Sequence, residues 1–247
     1  MTIYMTFTYL YLQISSRRVG CLDWNQHILA SGGRDGVVVL HDVRVAQHQV
    51  SRLAGHQQEV CGLTWAQDGK SLASGGNDNC VQIWSTGRDS PLHTITAHQS
   101  AVKAVSWCPW QANVLATAGG TVDRTVRVWN TATMTELHTT DTGSQVSSIA
   151  WNSEYREMVT GHGFSHNQLT IWKYPRNMSE SLLKVTDLTG HTSRVLLLTT
   201  SPDGTTVASV AADETIRLWK IWPQMKEKKS NNTTKKHPVS MLAQSIR

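Results

Sequence analysis

The stretch LASGGNDNCVQIWS, Leu72 to Ser85, holds two short runs with alternating apolar residues, separated by the polar turn Asn77-Asp78-Asn79. Alternation with a period of two puts every second side chain on one face, and a Gly/Asn/Asp cluster between two such runs marks a hairpin of two strands. The stretch also carries Ser74, Asp78 and Trp84, with His56 a little upstream. Ser, His and Asp are the ingredients of a hydrolytic triad, so the stretch opposes two readings, a catalyst and an architecture.

Repetition decides between them. The third-strand position held by Trp84 is filled in turn by His41, Trp84, Trp129, Trp172 and Trp219, at spacings of 43, 45, 43 and 47 residues. An earlier strand ends at Trp24, Trp65, Trp107 and Trp151, with Thr200 in the last copy. Five copies thus run from about Arg17 to Trp222. A period of 40 to 50 residues built from strands and turns means small antiparallel sheets that bury their faces only by stacking on one another. The expected fold is all-β, a WD-repeat β-propeller with five repeats; no segment of helical period competes.

The quartet His56, Ser74, Asp78 and Trp84 returns as His98, Thr117, Asp123 and Trp129, and again as His191, Ser209, Asp213 and Trp219. A triad is needed once, in a pocket with an oxyanion hole. A quartet found three times at matching places is a structural part: indole N–H to hydroxyl, hydroxyl to imidazole, imidazole to carboxylate. The first copy has Ser31 and Asp35 but His41 for Trp, and the fourth has Thr160, Asn167 and Trp172 without an upstream His. These two blades are expected to be the less rigidly specified. No Ser, Cys or carboxylate pair stands apart from the repeat, and no enzymatic activity or cofactor is implied.

The chain has 247 residues and a net charge of +5. From Pro223 onward there are five Lys and one Arg against one Glu, so the charge lies in the tail and the preceding body is neutral. A neutral folded part lacks the clustered basic face that nucleic acid requires. Cys21, Cys61, Cys80 and Cys108 form no CxxC pair and have no His at ligand spacing, which argues against a zinc site or a disulfide framework and for a reducing compartment. The opening MTIYMTFTYLYLQISS has no cationic start, is broken by Thr and is too short to span a bilayer, so no membrane association is expected.

Several stretches go beyond a generic repeat. HDVRVAQHQV, GHQQEVCGLTWAQDGKSLASGGNDN, KAVSWCPWQANVLATAGGTVDR, GHGFSHNQLTIWKYP and GHTSRVLLLTTSPDGTTVASVAADETIRLWK closely resemble the Fizzy family of cell-division-cycle co-activators of the anaphase-promoting complex. The resemblance covers about Arg17 to Trp222 and the final Ile246-Arg247. It implies a substrate adaptor of a ubiquitin ligase in the cytoplasm and nucleus, with degron-bearing proteins and the ligase as its partners. The family's KEN-box site carries over onto Asn77, Thr121, Gln145 and Arg194, each on a loop or turn at a strand end. An Arg suits the Glu carboxylate of such a peptide, and amides and a hydroxyl suit its polar groups. Taken without the resemblance, Asn77 and Thr121 read as turn residues. Glu214 matches the acid of the last blade in the family's D-box groove, although the partner acid of an early blade has no counterpart here; in isolation it reads as a solvated turn carboxylate. The terminal Ile246 and Arg247 resemble the tail that docks on a tetratricopeptide subunit of the ligase, offering an apolar side chain, a cation and a carboxylate.

The family ring has seven blades and a preceding activating region, whereas five repeats are present here. The expected organisation is a non-family segment over 1–16, a propeller over 17–222 and a disordered basic tether over 223–247. The last repeat shows three strands, because IWPQMKEKK after Trp219 does not read as a fourth. Ring closure must therefore fail, leaving an open arc, or use Ile3 to Ile14, whose β-branched and aromatic residues suit a strand. An interaction scaffold or decoy that does not activate the ligase is the alternative function.

Overall fold

The computed structural model describes residues 18–164, 166–177 and 180–223. Within them the chain forms nineteen strands in five antiparallel sheets, each built in sequence order. Blade 1 contains β1 (Val19–Asn25), β2 (Ile28–Gly33), β3 (Val37–Asp42) and β4 (Gln49–Ala54). Blade 2 contains β5 (Val60–Trp65), β6 (Ser71–Gly76), β7 (Val81–Ser85) and β8 (His93–Ile95). Blade 3 follows with β9 (Val102–Trp107), β10 (Val114–Gly119), β11 (Thr125–Asn130) and β12 (Thr135–Asp141). Blade 4 is β13 (Val146–Asn152), β14 (Glu157–His162), β15 (Leu169–Lys173) and β16 (Leu183–Leu188). Blade 5 has the three expected strands, β17 (Val195–Thr200), β18 (Thr206–Ala211) and β19 (Ile216–Lys220). The quoted hairpin is β6–β7, with Ser74 opposite Gln82 and Leu72 opposite Trp84.

Blades 2 to 4 are apolar on both faces because each is sandwiched between neighbours. Ala30, Val38 and Leu53 of blade 1 pack on Val60, Leu72 and Trp84 of blade 2. The pattern repeats with Ala73, Val81 and Ile83 on Val102, Leu115 and Trp129. It continues with Ala116, Val126 and Val128 on Val146, Met158 and Trp172, and with Val159, Leu169 and Ile171 on Val195, Val207 and Trp219. Strands of successive blades meet closely: a Cβ on Gly62 of β5 or Gly75 of β6 would collide with the backbone carbonyl of Lys103 or Val102 in β9. Only glycine permits that approach.

Blade 5 presents the same face, and among the described residues no further blade covers it. Ile216 and Leu218, at the positions of Val38 and Leu40, are 71% and 74% exposed. Among the described residues no strand of blade 5 packs extensively on a strand of blade 1. The described part is therefore an open arc with an apolar end face. The expectation that Ile3 to Ile14 closes the ring lies outside the described residues.

The quartets are hydrogen-bonded relays. Trp84 Nε1 donates to Ser74 Oγ at 2.8 Å, Ser74 Oγ lies 2.8 Å from His56 Nε2, and His56 Nδ1 lies 3.0 Å from Asp78. Trp129, Thr117, His98 and Asp123 repeat the chain, as do Trp219, Ser209, His191 and Asp213. Each relay takes buried polar atoms from two strands, the loop before the first strand and a turn, and leaves none without a partner. Blade 1 departs as anticipated: Ser31 Oγ meets His41 Nε2 at 3.2 Å, and His41 Nδ1 turns to His48 instead of a carboxylate.

Blade 4 corrects the sequence-based expectation. Its missing upstream imidazole is supplied by His162, two residues beyond Thr160 on the same strand. Trp172 Nε1 donates to Thr160 Oγ1 at 2.7 Å, Thr160 Oγ1 lies 2.6 Å from His162 Nε2, and His162 Nδ1 lies 3.0 Å from Ser144 Oγ. Asn167 takes no part in this relay. A Ser replaces the usual Asp as the end of the relay, so no carboxylate contacts this imidazole directly. Burial pushes the His162 pKa down from 6.5 to about 4.

The folded state thus refuses a proton that the unfolded chain accepts between these two values. The stability that His162 contributes is complete above about pH 7 and is lost as pH falls through 6.5 toward 4. At pH 5 the loss is roughly 2 kcal/mol. Urea unfolding at pH 7.5 and 5.0 should show this difference in the native chain and a smaller one in His162→Gln. Equal pH dependence in the two would refute the assignment.

Candidate functional site

One register position of the repeat, the residue just before each first strand, is occupied by Arg18, Glu59, Ala101, Gln145 and Arg194. All five line a single cavity of about 690 Å³. The second residue of the first strands, Cys61, Lys103, Ser147 and Leu196, lines it too. So do the turns after the second strands, through Asn77, Gly120, Thr121 and Val122. The two outer sets are tied together by backbone bonds: Asn77 N donates to Glu59 O, Gly163 N to Gln145 O and Ala212 N to Arg194 O. Strand register, turn and backbone bonding therefore aim one ring of side chains from blades 1 to 5 at a common space.

Asn77, Thr121, Gln145 and Arg194, up to 117 residues apart in the chain, all border this cavity. Thr121 Oγ1 donates to Gln145 Oε1 at 2.9 Å, so the hydroxyl fixes the amide and leaves its NH₂ as a donor. Asn77, Thr121 and Arg194 are exposed. Arg194 makes no ion pair among the described residues. Arg18, by contrast, is held by both carboxylate oxygens of Glu59, at 2.6 and 2.7 Å.

Lys103 is a cavity residue that motif reading missed. Its Nζ donates to Leu196 O at 3.2 Å across the mouth between blades 3 and 5, and burial lowers its pKa, with the nearby charge of Arg194 acting in the same direction. With Glu59 already paired to Arg18, Lys103 and Arg194 leave the cavity with an excess of positive charge, which suits an acidic group on a ligand. The signal for Lys103 was present in the repeat, at the position of Cys61 and Ser147, but it needed the register. Cys61 donates to Val102 O at 3.2 Å, and burial pushes its thiol up to about 12, so it is no nucleophile.

Glu214 stands apart from the cavity. It is exposed and adopts φ +62° in the β18–β19 turn. The residue five before His41, Trp84, Trp129, Trp172 and Trp219 is left-handed in every blade: Gly36, Asn79, Arg124, Asn167 and Glu214. Gly and Asn tolerate this conformation, whereas Glu pays a steric penalty of about 1 kcal/mol. Its neighbour Asp213 is held well below the usual carboxylate range, chiefly by the Thr215 hydroxyl. Ile246 and Arg247 lie outside the described residues.

Among the described residues no cluster of three metal-ligating side chains occurs, and no helix is long and apolar enough to cross a membrane. Residues 7–219 match the family model for the CDC20/Fizzy WD40 domain, a span that starts ten residues before Arg17. The chain is 53% identical over 208 residues to the anaphase-promoting complex subunit cdc20 of Dictyostelium discoideum, covering 83% of this chain and 41% of that protein. It is likewise 53% identical over 211 residues to cell division cycle 20.1, cofactor of APC complex, of Arabidopsis thaliana, covering 83% and 45%. A chain in the crystal structure of a mitotic checkpoint complex superposes with a TM-score of 0.80 at 50% identity, covering 83% of this chain and 65% of that one. The chain spans somewhat under half the length of these two relatives. Repeat, relay and sequence agree, and the chain belongs to the CDC20/Fizzy WD40 family.

Proposed function

We propose that this chain is a non-enzymatic substrate adaptor of the anaphase-promoting complex, which holds KEN-type degrons in the central cavity lined by all five blades. One observation carries the reading: Asn77, Thr121, Gln145 and Arg194, dispersed in sequence, surround one space with an excess of positive charge. A KEN peptide has a cation, a carboxylate and an amide. Arg194 takes the carboxylate, while the Gln145 and Asn77 amides and the Thr121 hydroxyl take the polar remainder. Similarity to proteins named as cofactors of this complex supports the assignment of the ligase. In this reading Ile246 and Arg247 dock on its tetratricopeptide subunit, and Glu214 contributes one side of a D-box contact.

The reading is tested by ubiquitination with purified ligase. Added chain should increase conjugation of a substrate with an intact KEN box, leave a KEN-to-Ala substrate unchanged, and lose its effect when Ile246 and Arg247 are removed. No increase for the intact substrate would overturn the adaptor reading, and suppression of a full-length co-activator would identify a decoy.

A further inference from the structure

The central cavity lies at the end of the blades where the first strands begin, whereas another concave space lies at the opposite end, where first and third strands finish. It measures about 250 Å³. Its walls are Trp110 and Gln111 after β9, His138 of β12, Arg156 in the β13–β14 turn, and Tyr174 and Arg176 after β15. It shares no lining residue with the central cavity.

Three rings give this space a fixed aromatic wall. Trp110 is half-buried and meets Trp151 and Tyr174 edge to face, at centroid distances of 5.2 and 5.7 Å. Tyr174 meets the buried His138 in the same way at 5.5 Å. Contacts of this geometry hold ring orientations, so the open part of Trp110 is a preset stacking surface. Burial pushes the Tyr174 phenol up to about 12 and the His138 imidazole down, so both rings are neutral near pH 7.

The charge at this space is positive and unspent. Arg156 and Arg176 are exposed, and neither makes an ion pair among the described residues. No carboxylate lines the cavity. The acids nearest in sequence are engaged elsewhere: Glu157 Oε2 accepts from Trp222 Nε1 at 2.7 Å, and Glu180 Oε1 from Asn177 Nδ2 at 3.1 Å.

Arg156 is also an outlier of the repeat. It adopts φ +52°, at the turn position held in the other blades by Gln26, Gly69, Asn113 and Gly204. Glycine and Asn reach the left-handed region readily and Arg does not, so the turn alone does not call for this residue. Its carbonyl accepts from Tyr174 N at 3.0 Å, tying turn to wall. Its cation is close enough to Cys108, in the core beside Trp110, to work against the burial that raises that thiol's pKa.

We propose that this space binds a nucleoside monophosphate, with the base stacked on Trp110 and the phosphate held by Arg156 and Arg176. A lone anion would leave the aromatic wall idle, and a neutral ring would leave two guanidinium groups idle. Stacking on an aromatic side chain suits any base, and a guanidinium grips phosphate through paired N–H donors. The exposed Gln111 amide offers a donor and an acceptor to the base edge. Sites for drug-sized ligands enclose roughly 300–1,000 Å³, so this smaller space takes a single base and leaves the phosphate at the rim.

The test uses the full chain and AMP, followed by titration calorimetry and by the Trp110 indole ¹⁵N–¹H resonance. AMP should bind saturably and shift that resonance. Adenosine and inorganic phosphate, each carrying one half of the recognition, should bind at least tenfold more weakly. Arg156→Gly removes the cation where the backbone favours glycine, so the fold is kept, and AMP affinity should fall at least tenfold; Arg176→Glu should do the same. Both variants should hold a KEN peptide as the native chain does, which separates this site from the degron reading. No saturable AMP binding, inorganic phosphate binding as well as AMP, or unchanged AMP affinity in either folded arginine variant would overturn the proposal.

Discussion

Thr117→Val should destabilise the chain by about 2–4 kcal/mol, measured by urea unfolding near neutral pH. The substitution keeps shape and removes one hydroxyl. That hydroxyl accepts from Trp129 Nε1 and donates to His98 Nε2, both at 2.8 Å, and Thr117 is fully buried. Its loss leaves two buried polar atoms unpartnered, each costing about 1–3 kcal/mol. For a domain whose net stability is about 5–15 kcal/mol, this is a large fraction. Thr117→Ser keeps the hydroxyl, which Ser74 and Ser209 supply in blades 2 and 5, and should cost only about 1 kcal/mol for the lost methyl. A Thr117→Val chain within about 0.5 kcal/mol of the native one would show that the relay contributes nothing to stability.

Arg194→Glu should weaken binding of a KEN peptide by at least about a hundredfold, roughly 3 kcal/mol, in a fluorescence anisotropy titration. The native guanidinium is exposed and unpaired among the described residues, so it is available to a ligand carboxylate. Reversing its charge removes a charge-assisted hydrogen bond and adds repulsion. Arg194→Lys preserves the charge but not the bidentate fork and should lose about tenfold. Because the side chain is exposed, unfolding free energy should change by no more than about 0.5 kcal/mol. Equal affinity in native and Arg194→Glu chains would remove the degron site from this cavity.

Much of the architecture was readable along the chain. The Trp spacing located the five sheets, and the hairpin at Leu72–Ser85 formed in the register that its alternation requires. The three full quartets were legible because hydroxyl, Asp and Trp sit at nearly fixed offsets within one blade. The fourth relay was not: His162 reaches Thr160 from the same strand, and a search at the upstream position passes over it. The exposure at the end of blade 5 among the described residues was not legible, since Ile216 and Leu218 look identical in pattern to residues that are buried elsewhere.

For the candidate site, sequence supplied the residue names through family likeness but no reason for their being together. Lys103 and the Arg18–Glu59 pair carried no motif at all.

The sequence by itself determined the repeat, the strand order within each blade and three of the four relays that include a Trp. These depend on period-two alternation and short offsets, which are local properties of the chain. Only the tertiary structure decided which residues share the central cavity and which side chains of one blade meet those of the next. Those outcomes arise from the rotation of each blade against the next, so the neighbour that a side chain meets comes from another repeat and is not written in its own.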